Sequence, residues 1–389
     1  MVDFPHTLML GQSLPAGSGG SPSLSTVSEV SNAYIVANDG TTANTLKNST
    51  TQQPYLTLGY RVAATNPAIL FGFSTHALSG QTIAQLSKGG SSTRYEQALG
   101  AISGAFTRQT TTGKTYVVRA MHWMQGEADQ TFSTPRATYR AAFEALRASY
   151  AADILAATGQ ATTIPWILSQ TATWAHYGNA ASIGLELLQI AREIPGVYIV
   201  GGQYQFPYAD GLHMTNVGYY KNGELQGRAH NAILAGQPWK PFAPKSITAT
   251  VGGLTVQYDM PTSPLVFDTT LIAAQPNYGF SLSGTSALIT GVSLTAADTV
   301  TITTNKPITE TGAKLGYGVS ANNGSVGLGN LRDSDPSVSV YDGQPIPNWA
   351  LHSNDELTPY PSSPGKIYSI LQKYWLDATG RTYVVTPGR

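Results

Sequence analysis

The segment Thr7-Leu8-Met9-Leu10-Gly11-Gln12-Ser13-Leu14 joins an apolar run to a serine that follows a glycine. Residues 7–10 predict a β-strand, and Gly11 permits a sharp turn directly after it. The carboxyl end of the first strand of a parallel sheet is where such folds place ligands and reacting groups. Taken alone, Ser13 is more typical of an ordinary polar turn, so the rest of the chain decides its meaning.

The first 240 residues alternate short β-rich runs with longer helical patterns, which is typical of a parallel sheet covered by helices. Besides residues 7–10, we predict strands over residues 68–73, 115–121, 164–169 and 197–200. Helical patterns cover residues 95–106, 183–194 and 217–234, the last ending at Gly236. The clearest helix follows Thr134-Pro135, where Thr can cap and Pro fits the first turn. Its apolar stripe, which should face the sheet, is Tyr139, Phe143, Leu146 and Tyr150.

The composition of the sequence changes near Gln237. Prolines there interrupt any helix, and an alternation of Thr, Val and Ser with Gly turns follows. We predict a domain over residues 1–240 and a β-sandwich or jelly-roll-like module over residues 241–345. Two strands should flank Gly252-Gly253 within residues 246–258, and two more should lie within residues 287–304. Residues 346–389 are expected to pack on the other domains.

Composition excludes several classes of function. The 389 residues contain 22 Lys and Arg against 22 Asp and Glu, so no basic field attracts nucleic acid. The chain contains no cysteine, which excludes thiolate nucleophiles and zinc sites with sulfur ligands. No stretch approaches the roughly 18 apolar residues of a membrane span, and we expect neither a secretion signal nor an anchor. Any chemistry must use oxygen and imidazole.

A histidine with a nearby carboxylate occurs in Asp210-Gly211-Leu212-His213. Imidazole is suited to take a proton from a serine near neutral pH, and a carboxylate on its other nitrogen fixes the tautomer. Among the 7 histidines, only His213 has a carboxylate three residues earlier in a Gly-containing loop. A solvated Asp and a His at a helix start are the ordinary alternative.

Two further motifs follow predicted strands. In Trp123-Met124-Gln125-Gly126-Glu127-Ala128-Asp129, the Gln125 amide could donate to an oxyanion. Glu127 and Asp129 also suggest a glycosidase acid and base pair, although such acids more commonly hold a loop. In Ser79-Gly80-Gln81, the Gly80 N–H could be another oxyanion donor, or the motif could simply be a turn before a helix.

Together these motifs resemble the SGNH (GDSL-like) hydrolase superfamily, and the WxQGExD form resembles its carbohydrate-esterase branch of sialate O-acetylesterases and acetyl xylan esterases. The resemblance spans about the first 240 residues. It rests on four motifs in this order: Gly11-Gln12-Ser13-Leu14, Ser79-Gly80-Gln81, Trp123-Met124-Gln125-Gly126-Glu127-Ala128-Asp129 and Asp210-Gly211-Leu212-His213.

The resemblance implies a flavodoxin-like three-layer α/β/α fold that uses neither cofactor nor metal. It implies that Ser13 is the nucleophile, His213 the base and Asp210 its orienting acid. It also implies oxyanion donors from the N–H groups of Ser13 and Gly80 and from the Gln125 side chain. Glu127 and Asp129 are expected to support the loop or the substrate. Two departures from the superfamily pattern suit the carbohydrate-esterase branch: Gln12 replaces the namesake Asp, and Gln125 with Glu127 replaces the usual Gly-x-Asn-Asp block.

An ordinary α/β-hydrolase is the nearest enzymatic alternative. That class places its serine in Gly-x-Ser-x-Gly in mid-chain, with the acid and the histidine far apart. Here the second glycine is missing after Ser13, and Asp210 and His213 share one loop. The order of the motifs therefore favours the SGNH interpretation.

The expected function is a serine esterase that removes O-acetyl groups from a carbohydrate or surface polysaccharide through an acyl-enzyme. Because such glycans lie outside cells, we expect extracellular action, as a virion tail component or as a secreted enzyme whose leader is absent here. Homo-oligomers or other tail components are possible partners of the chain. The alternative is a glycan-binding tail or adhesin module with a vestigial cleft, in which Trp349, Tyr360 and Trp375 form the sugar platform.

Overall fold

A mostly parallel sheet organises the first half of the chain. The computed structural model describes residues 2–177, 181–319, 326–361, 375–376 and 382–383, and within them this sheet has seven strands in the order β3-β2-β4-β1-β5-β6-β7. All neighbours pair in parallel except β2 and β3. The strands are β1 (Phe4–Gly11), β2 (Ala33–Val36), β3 (Thr42–Thr45), β4 (Phe71–Ala77), β5 (Tyr116–Met124), β6 (Trp166–Ser169) and β7 (Val197–Val200).

Helices cover both faces of this sheet, so the predicted three-layer α/β/α fold is confirmed. One apolar cluster joins the sheet to α3, α5 and α6, and two others join its opposite face to α1 and α7. The helices are α1 (Pro54–Ala63), α2 (Ile83–Leu86), α3 (Arg94–Thr111), α4 (Glu127–Thr131), α5 (Arg136–Thr158), α6 (Ser182–Glu193) and α7 (Asn216–Leu234).

The register of the central strands brings three loops to one edge of the sheet. Gly11, the last residue of β1, pairs with Ala77 of β4 on one side and with Met124 of β5 on the other. The loops that follow these three residues therefore begin side by side. They contain Ser13, Gly80 and Gln125.

The apolar stripe predicted for α5 is confirmed, because Tyr139, Phe143, Leu146 and Tyr150 are all buried. Phe143 is 0% exposed and contacts the rings of Trp123 and Trp166. The 3.6-residue period of the helix places these side chains on one face, against β5 and β6.

Truncating this stripe should destabilise the fold. We expect Phe143→Ala to lower the free energy of unfolding by about 3–5 kcal/mol, since it removes buried surface and leaves a cavity. Chemical denaturation of the purified variant measures the change. Phe132→Ala is the control, because Phe132 is 69% exposed, and a similar loss in both variants would contradict the packing described here.

Several elements differ from the sequence-based expectations. The strand predicted over residues 68–73 begins later, at Phe71, because the Asn66 side chain and carbonyl hold the N–H groups of Ala68 and Ile69 in a turn. Strands β2 and β3 and helix α1 were not predicted. Thr134 does not cap α5; its hydroxyl instead donates to Asp129.

The predicted antiparallel region after α7 is confirmed. One sheet has the order β12-β13-β9-β8, a second has β11-β14-β16, and two short pairs are β10-β15 and β17-β18. Side chains of both larger sheets share one buried cluster, as in a sandwich. The strands are β8 (Ala243–Thr250), β9 (Gly253–Asp259), β10 (Val266–Phe267), β11 (Phe280–Ser283), β12 (Ile289–Ala296), β13 (Thr299–Thr304), β14 (Lys314–Tyr317), β15 (Leu331–Arg332), β16 (Ser353–Glu356), β17 (Trp375–Leu376) and β18 (Thr382–Tyr383).

The segment before β16 contacts both halves of the molecule. The backbone N–H of His352 donates to Gln170 after β6, and the N–H of Leu351 donates to the carbonyl of Phe242 before β8. Most of the predicted C-terminal segment, including the Trp375 side chain, lies outside the described residues. The domain boundaries at residues 240 and 345 stay predictions.

Trp349 does not form part of an open sugar platform. It is 2% exposed and packs in the buried cluster of the β-rich region, beside Tyr204. The described part of the chain contains no helix long and apolar enough to cross a membrane. That part also contains no group of three His, Cys, Asp or Glu side chains that could hold a metal ion.

Candidate active site

Ser13 lies in a turn that only glycine permits at its start. Gly11 has φ +142°, and a Cβ there would lie 2.1 Å from the carbonyl oxygen of Met124. The next side chain, Gln12, accepts a hydrogen bond from the N–H of Ala128 at 3.1 Å, which ties the turn to α4. Ser13 follows at the carboxyl end of β1 and is 4% exposed.

The loop after Ser13 folds back and contacts the loop that carries His213. The Ser13 carbonyl accepts from the N–H of Ser18 at 3.1 Å. The next residue, Gly19, lies so close to His213 that a Cβ on it would be 2.9 Å from the histidine Cβ. The hydroxyl of Tyr219 on α7 donates to the Ser18 carbonyl at 2.7 Å and holds the loop in place. The Ser13 turn and the His213 loop are therefore adjacent.

Asp210 and His213 form the predicted pair. His213 Nδ1 lies 2.8 Å from Asp210 Oδ2, while Asp210 Oδ1 accepts from the backbone N–H groups of His213 and Leu212 at 2.7 and 3.0 Å. Partial burial raises the pKa of Asp210, but the hydrogen bonds from His213 and Leu212 outweigh this and hold it below its usual range. An ionised Asp210 fixes Nδ1 as the protonated nitrogen and leaves Nε2 to act as the base.

The other histidines differ from His213 in their surroundings. Burial lowers the pKa of five of them: His6, His76, His122, His230 and His352. None of these five is ion-paired to a carboxylate among the described residues. The sequence-based choice of His213 thus coincides with a histidine that has an acidic partner.

Among the described residues, no hydrogen bond joins Ser13 Oγ to the His213 ring. Catalytic hydrogen bonds are often long or poorly aligned before substrate is bound, so a missing bond is compatible with a nucleophile and its base. The structure brings the two loops together and leaves the serine hydroxyl uncommitted.

Two backbone N–H groups near Ser13 are available to an oxyanion. Gly80 is exposed with φ +73°, and no hydrogen bond of the described residues uses its N–H or that of Ser13. The loops that carry them are joined by the hydroxyls of Ser18 and Ser79, which lie 3.2 Å apart. The oxyanion role that the resemblance implies for these two N–H groups stays a prediction.

The Gln125 side chain is committed elsewhere. Its Nε2 donates to Asp129 Oδ2 at 2.6 Å and to the carbonyl of Gln81 at 3.2 Å, which occupies both amide hydrogens. Its Oε1 accepts from the Tyr139 hydroxyl at 2.8 Å. The Gln125 amide therefore has no free N–H for the oxyanion role that was expected of it. Its hydrogen bonds instead position the Gly80 loop.

Asp129 holds the same loop. It is 1% exposed and accepts hydrogen bonds from the N–H of Ile83 at 2.7 Å and from the hydroxyl of Thr134 at 2.9 Å, in addition to Gln125. The carboxylate thus connects the start of α2 to the loop before α5. These bonds favour loop support over substrate contact for Asp129. The glycosidase alternative would need Asp129 free to face a sugar.

Glu127 does not support the loop by hydrogen bonds. It is 2% exposed, and neither carboxyl oxygen has a hydrogen-bond partner among the described residues. Burial raises the pKa of Glu127 to about 7, and the nearby Asp129 charge adds to the effect. Burial, and next the Glu127 charge, raises the pKa of Tyr208, which pairs with Met214 beside His213. Glu127 therefore lies near Tyr208.

Glu127 should make stability depend on pH. Its carboxyl binds a proton more tightly in the folded state, so the free energy of unfolding falls as pH rises between about 4.5 and 7, by about 3 kcal/mol. We expect Glu127→Gln to remove this dependence. The melting temperature of the variant relative to that of wild type should therefore be higher at pH 8 than at pH 5. An identical difference between the two proteins at both pH values would contradict this assignment.

Sequence reasoning did not identify the tyrosines that hold the site. Tyr139 was predicted only as a core residue, yet its hydroxyl accepts from Trp123 Nε1 at 3.1 Å and donates to Gln125. Tyr219 was not singled out at all. A buried tyrosine usually needs a partner for its hydroxyl, but the sequence does not say which partner that is.

Comparisons with known proteins give one family. The family model described as "Carbohydrate esterase, sialic acid-specific acetylesterase" matches residues 7–231, more than half of the chain. No curated protein sequence matches the chain. A solved carbohydrate acetylesterase from Xanthomonas citri is similar in fold, with 15% identity, a TM-score of 0.61, and coverage of 91% of this chain and 81% of that one.

Two more solved structures are similar over a smaller part of the chain. A protein from Arabidopsis thaliana shows 16% identity and a TM-score of 0.47, with coverage of 60% of this chain and 99% of that one. A carbohydrate acetylesterase from Sinorhizobium meliloti shows 12% identity and a TM-score of 0.37, with coverage of 59% and 99%.

Proposed function

The chain belongs to the family of sialic acid-specific acetylesterases among the carbohydrate esterases, and we propose that it removes O-acetyl groups from a glycan through a Ser13, His213 and Asp210 triad. Membership in this family makes the protein a carboxylic ester hydrolase and agrees with the resemblance inferred from four short motifs.

One observation carries the triad. The Asp210 carboxylate lies 2.8 Å from His213 Nδ1, and the loop with His213 contacts the loop with Ser13 through Gly19. A carboxylate, an imidazole and a serine in this order are the parts needed to activate a hydroxyl.

The first half of the reaction transfers the acetyl group to the enzyme. Nε2 of His213 takes the proton from Ser13 as Oγ attacks the acetyl carbonyl, and the oxyanion of the tetrahedral intermediate accepts from the N–H groups of Ser13 and Gly80. The C–O bond to the sugar then breaks, and the imidazolium returns the proton to the departing sugar oxygen. The Asp210 carboxylate stabilises the imidazolium while it exists.

The second half releases acetate. Water gives a proton to His213 Nε2 and attacks the acetyl-Ser13 carbonyl, the same two N–H groups hold the oxyanion, and the proton returns to Ser13 as the acyl bond breaks. Three side chains hold the loop that carries the Gly80 N–H in place for the oxyanion: Gln125, Asp129 and Tyr139. They position this donor and do not contact the reacting atoms. The products are acetate and a free sugar hydroxyl.

Acetate release tests this function. We expect the protein to release acetate from O-acetylated N-acetylneuraminate or acetylated xylan, as measured by proton NMR. The alternative, a glycan-binding module with a vestigial cleft, predicts that these glycans bind without acetate release. The burial of Trp349 and the intact Asp210 and His213 pair favour the esterase. Extracellular action and association with a virion stay predictions.

A further inference from the structure

A second cleft lies at the edge of the parallel sheet opposite to Ser13. It has a volume of about 960 Å³, with Pro5 and Phe71 from the start of β1 and β4 at its floor. The carboxyl-terminal parts of α1 and α7 form its walls. The eight residues of β1 separate the two edges by about 25 Å, so this cleft is distinct from the candidate active site.

A hairpin over residues 337–346 forms the remaining wall, and α7 holds it in place. Val338 pairs with Pro345 across the hairpin. The N–H of Val340 donates to Glu224 at 2.8 Å, and Lys221 forms an ion pair with Asp342 at 2.8 Å. Because its wall is anchored at several points, the cleft is largely preformed, as small-molecule sites usually are.

One cation that lines the cleft is left without a partner. Three arginines and one carboxylate, Glu224, line the cleft, and the pKa of Glu224 is raised chiefly by burial. Arg61 is paired with Glu29. Arg228 is ion-paired with Asp335 at 3.4 Å and donates through Nη2 to the Ile346 carbonyl and to Asn348. The side chain of Arg119 is exposed and makes no hydrogen bond or ion pair with any described residue. The Arg119 guanidinium thus keeps its binding capacity for a carboxylate.

His230 adds an acceptor at the same place. Nε2 of Gln226 donates to Ser169, so its Oε1 accepts from Nδ1 of His122 at 2.8 Å. Nε2 of His122 then accepts from Nδ1 of His230 at 3.1 Å.

This chain of bonds leaves His230 Nε2 as a lone-pair acceptor. The side chain is 1% exposed, lines the cleft, and has no partner at Nε2 among the described residues. Burial keeps the ring neutral by lowering its pKa, and the nearby His122 and Arg119 add to the effect. A ligand that satisfies this nitrogen must bring a hydrogen-bond donor.

We propose that this cleft is a secondary glycan site that binds a sugar carrying a carboxylate. The carboxylate pairs with Arg119, a neighbouring hydroxyl donates to His230 Nε2, and the C–H face of the sugar packs on Phe71 and Val338. The choice of a sugar among hydroxy acids rests on the proposed function. A bound acidic unit would keep a polymeric glycan on the enzyme while Ser13 deacetylates another part of it.

Calorimetric titration of the full chain with glucuronate and with N-acetylneuraminate tests the proposal. We expect saturable binding of both acids, with much weaker binding of neutral N-acetylglucosamine. Arg119→Ala should weaken binding of the acids at least about tenfold, because it removes a charge-assisted contact. Arg108→Ala, at an exposed arginine on α3 away from the cleft, should leave binding unchanged.

No saturable binding of either acid, or equal binding by wild type and Arg119→Ala, would overturn the proposal. Hydrolysis of p-nitrophenyl acetate, read in parallel, should be the same in Arg119→Ala and wild type. An inactive protein that binds the acids through Arg119 would refute the proposed esterase and support the cleft. An active esterase without such binding would refute only the cleft.

Discussion

Replacing Ser13 with alanine is expected to lower kcat for p-nitrophenyl acetate and for O-acetylated sugars by about 10⁴- to 10⁶-fold. The variant lacks the oxygen that forms the acyl-enzyme, while its backbone N–H and that of Gly80 remain in place. Binding and the oxyanion donors would sustain a small residual rate above that of water. Steady-state kinetics with both substrates measure the loss.

The fold should tolerate Ser13→Ala, because the serine hydroxyl makes no hydrogen bond among the described residues and alanine fits the same turn. Ser91→Ala is the matched control, since Ser91 is exposed and lies outside the site. We expect its kinetics to equal those of wild type. Substantial activity in Ser13→Ala would assign the nucleophile to another residue.

Replacing His213 with alanine is expected to lower kcat by at least about 10⁴-fold. Ser13 would lose the base that takes its proton, and the leaving sugar oxygen would lose its acid. Asp210 would keep its hydrogen bonds from the backbone N–H groups of residues 212 and 213, so the loop itself should persist. Steady-state kinetics again provide the measurement.

Added imidazole should restore part of the activity of His213→Ala, because the substitution leaves space beside Asp210 for a free imidazole. A residue with only a structural role would not be rescued in this way. His176→Ala is the control, at an exposed histidine outside the triad. Equal losses in both variants, or no difference between His213→Ala and wild type, would contradict the assignment of the base.

The sequence predicted which edge of the sheet carries the candidate site. Ser13, Gly80 and Gln125 each follow an apolar run, and parallel strands must place their carboxyl ends together. The structure places these residues on neighbouring loops, because Gly11 pairs with both Ala77 and Met124. The pairing of Asp210 with His213 was also predictable, since a short loop with one glycine leaves the two side chains within reach.

Other features depend on contacts that no local pattern encodes. Whether the Gln125 amide is free to donate to an oxyanion depends on two acceptors, Asp129 and the Gln81 carbonyl. The Gln81 carbonyl lies 44 residues away in the sequence. The Glu127 carboxylate lacks a hydrogen-bond partner among the described residues because no donor of the folded chain lies close enough to it. Strands β2 and β3 are 4 residues each, too short for a periodic signal to stand out.

The most direct measurement is peptide mass spectrometry of the enzyme quenched in acid during turnover of p-nitrophenyl acetate. We expect an acetyl group on the peptide that contains Ser13, and we expect it to accumulate when deacylation is slow. The adduct should be absent in Ser13→Ala. Acetylation of a different residue, or full turnover by Ser13→Ala without any adduct, would contradict a Ser13, His213 and Asp210 triad.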